Sequence, residues 1–417
     1  MERVLIAGRG AIAARAVESA RAAGLSPVAV VSAADPQQAH ALGADAVERL
    51  QPLAGANPYD DVARIVGAAV RSGAGLVHPG HGALAEDPEL PRLLAEAGIV
   101  CAGAGPELLT TAGDKSLAVA AAERLGVPVL PHADGRAAIM ELAARAGFPL
   151  VLKPRSGCYG QGVQVVYTEA QLRLVLDADP DPGAMTWYAE RYVEDARIVG
   201  VTVAVDREGR VAHLGSRESL LVAGHLKLLD AAPVLDVPAD MAAAMRRHTQ
   251  VLAEGLDFRG VSSVEFVVSP DGYHFLEINP RLTGAYRMCE AQTGIDLIAL
   301  QLALAQGELL DEWAVRDDPA PHVVEARLFV RPDSPRPGRL SVLRLAERPG
   351  VSYACTLDVT RQVRHESMLV QVLATAGTRE EAVGRTMAAL AASEVSGIRH
   401  YGDEIAAWAG GHVTTHV

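Results

Sequence analysis

The sequence predicts an α/β protein at its front and an α+β protein behind it, on three observations. Over the first hundred residues, short continuous apolar runs alternate with amphipathic stretches, as in a parallel sheet covered by helices. From Trp187 to Val268 the runs lengthen and alternate with period two, which suggests an antiparallel sheet. From His322 to about Trp408 a last segment reads as a small α+β unit, set off by the acid- and proline-rich stretch Asp311 to Pro321.

Val4 to Ala7 reads as a buried strand, Ile12 to Ala23 as a helix, Pro27 to Val31 as a second strand and Asp61 to Arg71 as another helix. The strand Gly75 to His78, a helix from Pro88 to Ala97 and the strand Ile99 to Cys101 complete the front. Thr110 to Leu125 is expected as one helix. Phe148 to Lys153 and Gly162 to Tyr167 are strands around a glycine loop, a hairpin-like unit unlike the βαβ pattern before it. The alternating strands are Tyr188 to Val193, Ile198 to Val205, Val211 to Arg217 and Ser263 to Val268. There is no internal repeat.

A chain of 417 residues with 49% hydrophobic content can bury large cores and predicts two to four domains. A net charge of −13, with no basic block, argues against a nucleic-acid or anionic-membrane partner. The four cysteines, at 101, 158, 289 and 355, have no paired spacing, so neither a zinc knuckle nor a disulfide scaffold is indicated. Met1-Glu2-Arg3 runs into a strand without a signal-peptide pattern, and no apolar stretch approaches membrane-spanning length. The expectation is a soluble, cytoplasmic, globular protein.

Only three of the 38 basic residues are lysines, Lys115, Lys153 and Lys227. A chain that meets its need for positive charge with arginine keeps lysine where a compact ammonium on a thin stem is required, as against a phosphate oxygen. Lys115 lies in Gly113-Asp114-Lys115-Ser116. Lys153 ends an apolar run and opens Lys153-Pro154-Arg155-Ser156-Gly157-Cys158-Tyr159-Gly160-Gln161-Gly162, a glycine-rich lid whose amides can fold over phosphates. It is not a Walker loop, since no Gly-Lys-Ser/Thr closes it. An ordinary glycine hairpin would leave the lysine unexplained.

Val264-Glu265-Phe266 and Leu276-Glu277-Ile278-Asn279 place two carboxylates and an amide on adjacent strands around the turn Pro270-Asp271-Gly272. These are hard oxygen donors suited to Mg²⁺ bridging nucleotide phosphates, and carboxylates inside apolar runs are costly unless paired or metal-bound. Gly8-Arg9-Gly10-Ala11-Ile12-Ala13 nearly matches the dinucleotide fingerprint, with Asp35 ending the second strand. A lone fingerprint is a weak signal, and a tight turn binding no dinucleotide is the preferred reading. His78-Pro79-Gly80-His81-Gly82 leaves a parallel strand where substrates of such sheets bind, so His78 and His81 are substrate-facing candidates.

Taken in order, these motifs resemble the ATP-grasp superfamily, and within it the biotin carboxylase branch, over essentially the full length. The resemblance implies an ATP-grasp fold in three parts. These are a Rossmann-like pre-ATP-grasp domain at 1–112, an ATP-grasp domain at 113–312 with its lid at about 130–187, and a biotin-carboxylase-like domain at 320–417. It implies ATP with one or two Mg²⁺, or Mn²⁺ in their place. Lys115, Lys153 and the lid glycines Gly157, Gly160 and Gly162 would hold phosphates, and Glu190, Arg191, Tyr192 and Val193 would bracket adenine, with His225 close by. Glu265, Glu277 and Asn279 would be metal ligands. Arg281, Lys227 and Asn279 would be the catalytic group, and Arg155 and Arg287 are candidate clamps for a substrate carboxylate.

The sequence departs from the biotin carboxylases where they act on bicarbonate and biotin. Their Arg-Leu-Gln-Val-Glu-His, whose glutamate is the base, is here Arg281-Leu282-Thr283-Gly284-Ala285-Tyr286. The arginine near the biotin enolate falls on Ser352, and Leu221-Val222-Ala223-Gly224 lacks two further arginines. A base and an oxyanion partner each supply orders of magnitude in rate. The implied function is therefore an ADP-forming carboxylate–amine ligase acting on small molecules, amino acids among them, with a homodimer as an admissible assembly. The alternatives are a biotin-independent carboxylase working through carboxyphosphate, an NAD-dependent dehydrogenase, and a non-catalytic ATP-binding subunit.

Overall fold

A computed structural model describes residues 1–33, 39–51, 57–156, 162–178, 187–224, 226–313, 321–335, 338–355, 357, 362–363 and 368–411. Its front is a parallel sheet of β1 (Arg3–Ile6), β2 (Ser26–Ser32), β3 (Ala46–Leu50), β4 (Leu76–His78) and β5 (Val100–Cys101), in the order β3-β2-β1-β4-β5. The connecting helices are α1 (Gly10–Ala22), α2 (Val62–Ser72) and α3 (Glu89–Glu96). The apolar runs read as buried strands are enclosed on both faces, with Val4 and Ile6 packing under α1 and Leu5 under α2 and α3.

The single helix expected over Thr110 to Leu125 is two, α4 (Pro106–Gly113) and α5 (Lys115–Arg124). Asp114 adopts an extended conformation between them, and its carboxylate accepts from the amides of Ser116 and Leu117 at 2.9 and 3.1 Å. A short acceptor after glycine competes for the backbone better as a cap than as an interior residue, so the helix restarts with Lys115 as its first residue.

A second sheet, ordered β6-β9-β7-β8, is made of β6 (His132–Asp134), β7 (Leu150–Pro154), β8 (Gln164–Val166) and β9 (Trp187–Arg191). Helices α6 (Arg136–Ala146) and α7 (Glu169–Asp177) cover one face through Leu150, Leu152, Val166 and Ala189. Lys153 and Glu190 therefore stand on the opposite face.

The largest sheet follows from β10 (Arg197–Val205), β11 (Val211–Ala223), β12 (Leu226–Ala232), β13 (Gly260–Ser269) and β14 (Gly272–Asn279), with α8 (Ala239–Gly255) packed across it. Helices α9 (Tyr286–Thr293) and α10 (Leu297–Ala305) lead on to β15 (His322–Phe329), β16 (Gly338–Arg339), β17 (Val342–Arg344), β18 (Val351–Ala354), β19 (Gln362–Val363), β20 (Met368–Ala376), α11 (Arg379–Ala392), β21 (Glu394–Ser396) and α12 (Gly402–Ala409). Among the described residues the sheet order is β14-β13-β10-β11-β12-β15-β20-β18. The C-terminal strands thus continue the central sheet, with β12 pairing β15 from Leu229↔Ala326 to Ala232↔Val323. Most of the stretch Asp311 to Pro321 lies outside the described residues. No helix among them is long and apolar enough to cross a membrane.

Strand β10 shows how the sheet divides its faces. Val199, Val201, Val203 and Val205 face α8 in a core shared with Phe266 and Phe275, each worth about 1.5–3 kcal/mol when fully buried. The intervening residues turn the other way, and so do the polar residues of neighbouring strands. That opposite face carries the candidate site.

Candidate functional site

Antiparallel register aligns one row of residues across four strands. Arg217 on β11 opposes Gly200 on β10, Gly200 opposes Glu265 on β13, and Glu265 opposes Glu277 on β14. A Cβ at Gly200 would run into the Arg217 guanidinium, so the missing side chain is what lets Arg217 lie across β10. Arg217 reaches Glu265 Oε1 at 2.9 Å, and Lys227 Nζ pairs with the other oxygen. Burial alone would raise the Glu265 pKa, but Lys227 and Arg217 outweigh it and hold the group at about 2. Glu277, half-buried, is pushed up by the loss of water around it and by the Glu265 charge opposite it. Asn279 donates to Glu277 Oε1 at 3.2 Å.

Two facing carboxylates and an amide, one carboxyl destabilised as an anion by the other, form a donor set that fits a divalent cation. Among the described residues no group of three or more His, Cys, Asp or Glu side chains is arranged to hold a metal, so the amide is needed to complete the set.

On the facing sheet Lys153 forms a buried ion pair with Glu190, and Tyr188 donates its hydroxyl to Glu190 Oε2 at 3.2 Å. Burial and the Glu190 charge push the Tyr188 pKa up. Glu190, expected to face adenine, is thus held by Lys153 and Tyr188. The segment after it is anchored by the backbone, Arg191 N to Pro131 O at 2.9 Å and Tyr192 N to Pro149 O at 3.2 Å.

Lys115 is tied to the lid strand, its amide donating to Arg155 O at 2.9 Å beside a bridge between Asp114 and Ser156. The Arg155 guanidinium reaches Asp114 Oδ2 at 2.7 Å. Arg155 is therefore not the open clamp expected of it, because the carboxylate that caps α5 already neutralises it. Gly162 is described, with φ +78° that favours glycine, whereas Gly157, Gly160 and His225 lie outside the described residues.

Arg281 is 6% exposed. Its Nε donates to Glu86 Oε1 at 2.7 Å and its NH1 to Leu282 O at 2.9 Å. Glu86 ends the turn that begins at His78, so the front sheet supplies the anion against which this arginine is held. The two histidines part company. His78 is fully buried, accepts from Gly80 N at 3.1 Å and meets Gln301 Oε1 at 3.2 Å, with burial lowering its pKa to about 4. It braces the turn and is not brought to the cleft. His81 lies against the loop after Arg281, 3.9 Å from a Cβ built on Gly284. Burial and the charges of Arg281 and Arg327 hold its pKa at about 3, so it is a neutral imidazole.

The dinucleotide-like turn at Gly8 is packed from above. Gly80, at φ +74°, approaches so closely that a Cβ there would lie 2.7 Å from Ala7 O. The close approach of the two turns is made at Gly80, whereas Gly10 supplies a φ of +70° at the start of α1.

Behind Lys227 lies a charged layer that the motif reading missed. Arg327 bonds Asp230 Oδ2 at 2.9 Å, Glu325 Oε1 at 2.8 Å and Lys227 O at 3.2 Å. Gln371 Nε2 donates to Gly284 O at 2.7 Å and to Glu325 Oε1 at 3.2 Å. The layer fixes the loop from Arg281 to Arg287 onto β15 and β20. The signal was present, since Glu325, Arg327 and Gln371 interrupt apolar strands just as Glu265 does.

Residues 114–313 match the profile of the carbamoyl-phosphate synthase L chain ATP-binding domain, and residues 1–109 that of the biotin carboxylase N-terminal domain. A biotin carboxylase of Halalkalibacterium halodurans is 31% identical over 95% of this chain and 91% of its own length. One from Allochromatium vinosum is 29% identical over 95% and 92%. The crystal structure of a biotin carboxylase–β,γ-ATP complex from Campylobacter jejuni superposes with a TM-score of 0.87 at 26% identity, covering 97% of this chain and 94% of that one.

Proposed function

The chain belongs to the biotin carboxylase family of ATP-grasp proteins, and from that premise we propose which ligation it carries out. As an ADP-forming ATP-grasp ligase, it phosphorylates a substrate carboxylate and passes the acyl group to an amine. The carboxylate oxygen attacks the γ-phosphorus and ADP leaves. The amine nitrogen then attacks the acyl carbon, the bond to phosphate breaks, and the departing phosphate takes the amine proton.

The observation that carries this reading is the loop from Arg281 to Arg287. It contains no acidic residue, and the base position is Ala285, 4% exposed at the start of α9 with no side-chain cap. The residue types of the phosphoryl-transfer half, by contrast, are all present in the sequence. Lys115, Lys153 and the lid glycines would hold the phosphates, and Glu190 to Val193 would bracket adenine. Glu265, Glu277 and Asn279 would hold Mg²⁺, which neutralises phosphate charge when bound. Arg281 would stabilise charge developing on the transferred group, with Lys227 beside it. Ion pairs exchange as ATP binds, Lys153 turning from Glu190 and Lys227 from Glu265 toward phosphate oxygens. The units we propose remain 1–112, 113–312 with the lid at about 130–187, and 320–417.

The relatives' shared name supports a second reading, in which bicarbonate is the activated carboxylate and biotin or an amine takes the carboxyl group. A coupled ADP assay over small acids and amino acids, with and without bicarbonate, separates the two. ADP release driven by an organic acid with bicarbonate removed supports the ligase; release only with bicarbonate supports the carboxylase.

A further inference from the structure

We propose that Arg287 binds an anionic group of the acceptor, so that the second substrate carries a carboxylate beside its nucleophilic nitrogen; this rests on the ligase reading above. Arg287 stands on the first turn of α9, and its NH2 donates to Ser352 Oγ at 2.7 Å. Position 352 is where the biotin-carboxylating pattern carries its arginine. Here a guanidinium reaches that place from the helix, and the strand residue has shrunk to a hydroxyl that receives it.

The charge balance around it is unusual for this site. Lys153 is matched by Glu190, Lys227 by Glu265, Arg281 by Glu86, and Arg327 by Asp230 and Glu325. Arg287 donates its hydrogen bond to a neutral hydroxyl, Glu325 and Glu290 acting on it only through space, and its NH1 is enclosed without a hydrogen-bond partner among the described residues. The Tyr286 hydroxyl, in the neighbouring side chain 2% exposed, also has no partner among the described residues. A guanidinium offers its donors in a fixed fork that matches a carboxylate, and one edge here is used on an uncharged group. Buried donors without partners are a cost that a bound carboxylate removes.

The test compares glycine with glycinamide as acceptors, using the full chain, ATP, Mg²⁺ and an acid that yields a hydroxamate with hydroxylamine. Wild type should release ADP faster with glycine than with glycinamide. Arg287→Gln should raise the KM for glycine roughly ten- to a hundredfold while the KM for ATP stays as in wild type, which also reports that the variant is folded. Ser352→Arg in the Arg287→Gln background should restore part of the glycine KM, which a purely structural role would not allow. An unchanged glycine KM in Arg287→Gln, or a preference of wild type for glycinamide, overturns the proposal. Failure of wild type to form a hydroxamate from any acid sinks the ligase reading itself, and the proposal with it.

Discussion

Glu277 is a carboxylate held against its own electrostatic preference, half-buried opposite Glu265 and pushed up by desolvation and by that charge. A cation between them would resolve the conflict, so Glu277→Gln should lower ADP formation on the order of a hundredfold while the fold persists. Unimpaired turnover with an unchanged circular dichroism spectrum would remove this pair from the mechanism. Lys153→Met should weaken ATP binding in calorimetry, since it deletes the buried ammonium proposed to meet a phosphate. A second titration lies at Glu290 on α9, one turn after Arg287. Arg15 prefers Asp296, at 2.8 Å against 3.8 Å to Glu290, and burial pushes the Glu290 pKa from its ordinary 4.5 to about 7. The folded state then keeps a proton that the unfolded chain releases above pH 4.5, so stability falls as pH rises from there to about 7 and levels off above. The shift corresponds to about 3 kcal/mol. Glu290→Gln should therefore gain melting temperature over wild type between pH 5 and pH 7.5; parallel melting curves at both would contradict the assignment.

Among the elements, the break at Asp114 matters most, because it makes Lys115 the first residue of α5 and ties it to the lid strand. Asp114→Ala removes two cap bonds and the partner of Arg155. It should cost about 1–2 kcal/mol of stability and raise the KM for ATP several-fold. A lower melting temperature with an unaltered KM would separate the cap from the nucleotide. The sequence made the glycine, the acid and the lysine conspicuous, yet periodicity ran one helix through them. Helical spacing persists on both sides, and a cap acts through a single side chain that a windowed pattern averages away. The Glu265–Glu277 pairing was legible for the opposite reason. A short turn fixes antiparallel register, and register fixes which side chains face each other. The histidines mark where residue type misleads, for both leave the same turn and only three-dimensional packing sends His78 inward and His81 to the loop after Arg281.

Across the whole molecule, the pairing of β12 with β15 binds the C-terminal strands to the sheet that carries the metal-ligand candidates. Local alternation announced strands on both sides of the acidic stretch but not that they join, since pairing across some ninety residues leaves no periodic trace. A chain ending at Trp313 would expose the β12 edge and the apolar residues that pack against β15 and β20. It should be insoluble, and a soluble fragment that melts cooperatively would show the sheet to be divisible. The same continuity holds the loop from Arg281 to Arg287 through Arg327, Glu325 and Gln371, so the proposed acceptor side of the site rests on β15 and β20. What that side accepts is the central claim. Hydroxylamine trapping tests it most directly, with ATP, Mg²⁺ and a panel of acids in bicarbonate-free buffer. The account predicts a hydroxamate with stoichiometric ADP from at least one organic acid, unaffected by biotin. ADP release that strictly requires bicarbonate, with its label appearing in carboxybiotin or a carbamate and no hydroxamate from any acid, would contradict it.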